Sequence, residues 1–499
     1  MLTYIDDEAI RALVALEMHL SEDYITPTLS GDLYFNKPPL YNWFLLLFFG
    51  GSGAFAEWVS RGATVFCLLG FGLTTFLSLR NVLGQDKALM VAFMVITSFR
   101  ILLYDSLQGL IDIGYSWVVF YLFWQVYWQS ERQRWWALFL AVYALAAVGF
   151  LLKGLPIVVF TGASLIVWLV YRGWWRKLIS IQHIVGIILW LVLVGSYYYL
   201  YAQSNDVQVV FATLFEESSK RTAAQYGIGK TIQHLFTFPF ELIYHFLPWS
   251  LLLVPALGKW VRARELPQAS FLAFALIVGG VNLIPYWISV EVYPRYLFMF
   301  LPLLYSLALG GIPDAFWQRR QWFYWISGAL LVLMTLGASL PLFWERLQIS
   351  PFWMAKSLLI IAALTTLLYF FWQQVQWQLW LLVLGLAIVR MGFDWFVLPD
   401  RYYDDWGTQV KESTIQAVSV VPQDKPLYIY GRTAFQPTNA FYATRTQQAI
   451  IPRKRTDFQP GDFLIIDTAK YPEIPITWKA DFVVRFQHKT IQVGEYRGE

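Results

Sequence analysis

The sequence predicts a polytopic α-helical membrane protein, and three observations predict it. Of the 499 residues, 58% are hydrophobic and only 14% charged, where a water-soluble globular chain carries about 25% charged residues. The mean hydropathy is +0.49, which excludes a soluble enzyme and a disordered chain alike. The apolar residues also gather into long runs between short charged breaks, as helices crossing about 30 Å of hydrocarbon require. Walls of a β-barrel would instead alternate over segments of about ten residues. The formal charge of +4 is too small to suggest a nucleic-acid partner. Cys67 is the one cysteine, so an internal disulfide and zinc-type cysteine spacing are both excluded.

Runs of spanning length fall near 58–80, 87–105, 108–129, 134–152, 154–172 and 181–201, and again near 240–258, 270–289, 296–316, 322–345, 353–372 and 376–397. That is roughly a dozen helices by the length criterion. A further apolar stretch, Pro39–Ala56, is interrupted by Gly50, Gly51 and Gly53 and reads as re-entrant or interfacial. If it does not cross, Lys and Arg fall on alternate loops: Arg80 and Lys87, Arg132 and Arg134, then Arg172, Arg176 and Lys177. Lys259, Arg262 and Arg264, and then Arg319 and Arg320, continue the same side. Excess Lys and Arg mark the cytoplasmic side, so the chain start, a long 202–239 loop and the tail after 398 are expected outside. Residues 1–38 then lie outside with no apolar run before them, which leads us to expect that a transmembrane helix upstream is missing from this sequence. The expected division is an exoplasmic first loop with juxtamembrane helices (1–57), a transmembrane domain (58–397) and a small outer α/β domain (398–499). In that last part, turns rich in Gly and Pro separate short β-type runs at Leu427–Tyr430, Phe463–Ile466 and Phe482–Phe486, with a mixed segment at 437–445.

The candidate chemistry begins at the amino end. Asp6, Asp7 and Glu8 precede a helical pattern of Ile10, Leu13, Val14, Leu16 and Leu20 that reads as a helix lying on the bilayer. On spacing alone, the acids serve as its N-terminal cap. Next comes Tyr34-Phe35-Asn36-Lys37-Pro38-Pro39-Leu40-Tyr41. Its two prolines fix an extended approach to the membrane, with Lys37 at the lip. Taken alone, Lys37 is either a snorkelling interfacial lysine or a fixed cation for a lipid phosphate. Asp112 and Lys153 are ionisable groups at span ends, where interfacial solvation competes with a site role. Arg390 and Asp394, at i and i+4 on the last span, read as a mutual pair.

The string Asp7-Glu8, Glu17-Met18 and Lys37-Pro38-Pro39-Leu40-Tyr41 resembles the first exoplasmic loop of the GT-C membrane glycosyltransferases, above all the lipid A aminoarabinose transferases and, more distantly, the protein O-mannosyltransferases. Asp112 in Gly-Leu-Ile-Asp, Lys153-Gly154-Leu155-Pro156, Pro248-Trp249 and Tyr293-Pro294-Arg295-Tyr296-Leu297 match as well, over about residues 1–310. The resemblance implies a GT-C fold and a transferase that takes a sugar from a polyprenyl-phosphate donor to a lipid, glycan or protein acceptor. It places that reaction on the outer face of a bacterial inner membrane, with the C-terminal domain in the periplasm. Carried over by position, Asp7 matches the acid acting on the acceptor and Glu8 is its partner. Lys37 and Arg295 match cations that hold the donor phosphate, and Arg221, in the long outer loop, is a third. Asp112, Lys153, Tyr296 and Tyr34 are further site candidates. A divalent metal is a family expectation, with His234 and Asn36 as its candidates. The family has an acid immediately before the Lys-Pro where this chain has Asn36, and an amide is a poorer zinc ligand than a carboxylate. A polytopic lipid or sugar transporter is the alternative; it should show internal repeats and paired broken helices near the midplane, and the sequence displays neither.

Overall fold

In a computed structural model, residues 2–5, 7–219, 228–253, 269–310, 321–374, 377–403, 406–484 and 489–498 are described. Among these, seven helices are long and apolar enough to cross a membrane: Glu57–Leu83 (α3), Trp135–Lys153 (α7), Ile181–Tyr201 (α9), Ser270–Ile288, Tyr324–Leu342, Trp353–Gln373 and Gln378–Tyr402. An eighth is a broken pair, Gln85–Ile96 (α4) and Phe99–Leu107 (α5), bent by 47°. Leu40–Ser52 (α2), Pro156–Tyr171 (α8) and Pro294–Gly310 are shorter apolar helices, and Asp112–Glu131 (α6) fills the run expected near 108–129. The protein is a multi-pass, mostly helical membrane protein, and seven or eight of the roughly dozen expected runs are long apolar spans among the described residues.

The departures have local causes. The run at 87–105 breaks where Thr97 Oγ1 donates to the Phe93 carbonyl (2.6 Å) and Ser98 Oγ donates to that of Met94 (2.8 Å), bonds that bend or end a helix. The stretch expected to span 240–258 is interrupted, because the Ile228–His245 helix stops before Pro248 and gives way to a 3-10 turn at Trp249–Leu252. The region read as one long loop, 202–239, carries two helices, Val207–Ser219 and Ile228–His245. Between α7 and α8, Gly154 has φ +84° and ψ −144°, a conformation open to glycine almost alone. Pro156 then starts α8 at its first turn, where its missing N–H costs nothing.

The amino-terminal helix corrects an expectation. Asp7–Ser21 (α1) does not lie on the bilayer: Glu8, Arg11, Leu13, Val14, Leu16, Glu17 and Met18 are all buried in protein. Its charges are ion-paired or hydrogen-bonded inside, which is what makes such burial tolerable. Glu17 accepts from Thr28 Oγ1 and Ser30 N (both 2.7 Å) and from Gly31 N, tying down the hairpin of Thr28–Leu29 (β1) and Asp32–Leu33 (β2).

The last hundred residues form a five-stranded sheet in the order β4-β3-β5-β7-β6. Leu427–Tyr430 (β3) pairs in parallel with Arg453–Lys454 (β4) and Phe463–Ile466 (β5); Ile476–Val484 (β6) and Lys489–Tyr496 (β7) add antiparallel strands. The mixed segment at 437–445 is a helix, Pro437–Gln447, and a second helix runs over Trp406–Ser419. Val418, Ile429, Ile465, Val484, Ile491 and Val493 form the core of this domain.

Candidate active site

Four charged side chains from four distant parts of the chain meet beside the first loop. Asp7, the first residue of α1, is half exposed and accepts a hydrogen bond from Arg295 Nη2 at 2.9 Å. Arg295 Nε lies 3.4 Å from Asp112 Oδ2, and Lys153 Nζ lies 2.5 Å from Asp112 Oδ1. The result is an alternating row, Asp7–Arg295–Asp112–Lys153, whose formal charges sum to zero.

Local sequence explains each position. Asp112 is the first residue of α6, where the helix dipole favours an anion. Lys153 is the last residue of α7, where a cation is favoured for the same reason. Arg295 follows Pro294 in a 3-10 turn over Pro294–Phe300, which brings its side chain back towards α1. Tyrosines wall the row. Lys153 Nζ sits 4.1 Å over the ring of Tyr296 and 5.1 Å over that of Tyr115. The Arg295 guanidinium lies 4.8 Å over Tyr293. Rings of this kind attract cations where water is scarce.

Glu8 follows Asp7 in α1, but its carboxylate bonds partners outside the row. It is 1% exposed and is clamped by Arg61, whose Nε and Nη2 donate to its two oxygens at 2.8 and 3.0 Å. It also accepts from the Gly109 backbone at 2.7 Å. Arg61 further donates to the carbonyls of Leu2 (2.8 Å) and Thr3 (3.2 Å). So Glu8 and Arg61 hold the extended segment leading into α1, and Asp7 is the acid turned towards the open side.

The remaining expectations fall as follows. Lys37 is half-buried in the turn between β2 and α2, and Asn36 beside it is exposed. Tyr34 is buried and its hydroxyl accepts from Arg11 Nη2 at 2.8 Å. Arg221 lies outside the described residues, as does Asp6. His234 is engaged by the protein: its Nδ1 is 3.0 Å from the Trp287 carbonyl and its Nε2 is 3.8 Å from Glu241. Among the described residues no group of three or more His, Cys, Asp or Glu could hold a metal ion. The described residues therefore offer no ligand cluster for the metal that the resemblance raised, and no step is derived through one. Pro248-Trp249 is an internal brace, since Trp249 is fully buried and donates from Nε1 to Thr97 Oγ1 at 3.0 Å. Arg390 pairs with Asp394 as expected (2.8 Å) and also reaches the Leu102 carbonyl and Ser106 across on the broken helix.

Two groups near the site had no motif to flag them. Arg61 left only a faint signal, a lone charge inside an apolar run. Glu57 left none; it binds Lys411 at 2.6 Å and accepts from the Tyr442 hydroxyl at 2.7 Å, so its partners come from the far end of the chain.

A multi-pass helical domain, a charged row beside its first loop and a C-terminal α/β domain together define a membrane protein of the GT-C glycosyltransferase fold. Residues 36–199 match the family model described as dolichyl-phosphate-mannose-protein mannosyltransferase. The whole chain is similar to a crystal structure of ArnT from Cupriavidus metallidurans bound to undecaprenyl phosphate, with TM-score 0.72 and 17% identity over 99% of this chain and 94% of that one. The apo ArnT structure gives TM-score 0.67 and 18% identity over the same shares. In sequence, an uncharacterized protein of Aquifex aeolicus (strain VF5) is 23% identical over 348 residues, 68% of this chain and 65% of that protein's own length.

Proposed function

We propose that this protein transfers a sugar from a polyprenyl-phosphate donor to a lipid, glycan or protein acceptor, on the outer face of a bacterial inner membrane with its C-terminal domain in the periplasm. The observation that carries the reading is a half-exposed carboxylate, Asp7, held 2.9 Å from a guanidinium, Arg295, which is itself backed by Asp112. The likeness to ArnT, a protein crystallised with undecaprenyl phosphate, supports the choice of donor.

The chemistry follows from those groups. Asp7 takes the proton of an acceptor hydroxyl. The freed oxygen bonds to the anomeric carbon, and the bond from that carbon to the donor phosphate oxygen breaks. Negative charge then returns to the prenyl phosphate, where Arg295 and Lys37 neutralise it. A phosphate drawn to Arg295 competes with Asp7 for the same guanidinium. Donor binding would thus release Asp7 to act as the base, which orders the two events. Asp112 and Lys153 act one step back, fixing Arg295 in place. Glu8 has its oxygens engaged by Arg61 and Gly109 and serves to hold the segment before α1 rather than to react.

The test is sugar transfer in proteoliposomes from a panel of radiolabelled polyprenyl-phosphate sugars. Asp7→Asn should lower kcat by about 10²-fold or more while tightening binding of the bare prenyl phosphate, because the competing carboxylate charge on Arg295 is gone. Lys37→Ala should instead weaken that binding. Transfer indifferent to both changes would sink the assignment and favour a transporter.

A further inference from the structure

We infer that the C-terminal domain is a positioning element for Asp7, acting through the Tyr442 hydroxyl on the extended segment Leu2–Ile5. This rests on the reading of Asp7 given above. The Tyr442 hydroxyl makes two bonds at once. It accepts from the backbone N–H of Tyr4 at 3.3 Å and donates to Glu57 Oε1 at 2.7 Å. Thr438 Oγ1, on the same helix, donates to the Tyr4 carbonyl at 3.3 Å. The C-terminal domain thus grips the main chain three residues before Asp7.

The grip is built from all sides. Lys411 and Arg445 approach the same Glu57 carboxylate at 2.6 and 3.9 Å, and Arg445 also donates to the Phe55 carbonyl at 3.0 Å. The Tyr4 ring meets Phe441 edge-on at 4.8 Å, and its hydroxyl contacts Ser60 Oγ at 2.9 Å. Burial, and next the charge of Glu57, hold the Tyr442 hydroxyl well above the usual tyrosine range, so it remains a donor at any working pH.

A domain merely tethered to the membrane part would have no reason to bond the backbone of this segment. Leu2–Ile5 has no helix or sheet ladder of its own. Its peptide groups are held by Arg61 from the membrane side and by Tyr442 and Thr438 from the domain side. Loosening one side lets Asp7 wander, and displacement by about 1 Å can cost on the order of 10²-fold in rate. The group is a positioning residue: it touches neither donor nor acceptor.

The experiment uses the full chain in proteoliposomes and compares wild type, Tyr442→Phe, Thr438→Val, Asp7→Asn and Lys479→Ala. Both kcat and the KM for the prenyl-phosphate sugar are measured, with hydrogen exchange of residues 2–8. Tyr442→Phe should lower kcat roughly 10-fold or more, leave the donor KM within about twofold, and speed exchange in the segment. Thr438→Val removes a single bond and should do the same more mildly; it carries the test if Tyr442→Phe does not fold. Lys479→Ala, which breaks an exposed pair with Glu495 on the far strands, controls for general weakening of the domain and should leave kcat unchanged. A wild-type kcat with unchanged exchange in Tyr442→Phe and Thr438→Val, or a loss shared equally by Lys479→Ala, would overturn the inference. Full activity in Asp7→Asn would instead overturn the reading beneath it.

Discussion

Arg295 is the hinge of the charged row, because it answers two carboxylates at once. Asp112 is 6% exposed and Lys153 13%, so this inner pair is desolvated and depends on being complete. Removing one member of a buried pair costs about 3–5 kcal/mol, whereas removing both costs much less. Asp112→Asn should therefore lower the thermal midpoint in detergent sharply, and Asp112→Asn with Lys153→Met should recover a good part of it. A double variant no better than the single one would mean that the pair is not the unit holding Arg295. Asp7, Asp112, Lys153 and Arg295 were all legible in the sequence, since each sits in a short string with a recognisable pattern. Glu8 was legible as an acid but not as a clamp. Its role depends on Arg61 and on the Gly109 backbone, and contacts across such separations leave no periodicity to read.

At the level of elements, the charged row exists because two helix ends are cut at defined points. Gly154 closes α7 at φ +84°, ψ −144°, and that closure leaves Lys153 at the helix end facing Asp112. Any side chain there is strained by about 1–3 kcal/mol. Gly154→Ala should lower stability by that amount in a thermal melt and disturb Lys153; an unchanged melt would show that the turn relaxes freely. The sequence legibly marked this turn through its Gly and Pro. It marked the α4 break less well, for Thr97 and Ser98 bend the chain only by choosing backbone partners within their own helix. The burial of α1 was illegible for another reason. Its apolar face reads equally well against lipid or protein, and it is the Pro437–Gln447 helix, α2 and the hairpin that decide which. Gly31, at the turn of that hairpin, shows how closely the hairpin meets the C-terminal domain: it has φ +76°, and a Cβ there would stand 3.0 Å from the Cβ of Pro452.

On the scale of the whole molecule, composition alone announced a multi-pass membrane protein, and the strands Leu427–Tyr430 and Phe463–Ile466 announced the C-terminal domain. How the two are joined was hidden, because Glu57, Lys411 and Tyr442 are ordinary residues until the chain folds back on itself. That junction has a measurable strength. Lys411→Met leaves the Glu57 carboxylate without its nearest cation, and a hydrogen bond to a charged group is worth about 1.5–3 kcal/mol. The variant should unfold at lower temperature and expose the junction to protease first; equal protease resistance would make the pair incidental.

The bond between Tyr4 and Tyr442 joins residues 438 positions apart. A ribosome adds about 5–20 residues per second, so roughly 20–90 s separate the synthesis of the two partners. Throughout that interval every membrane helix can insert while the segment before Asp7 still lacks its holder. The segment before Asp7 is therefore made long before its holder and acquires its native shape late. A prematurely terminated chain would carry the acid without the frame that aims it, because the sheet on which the Pro437–Gln447 helix rests is complete only with Lys489–Tyr496.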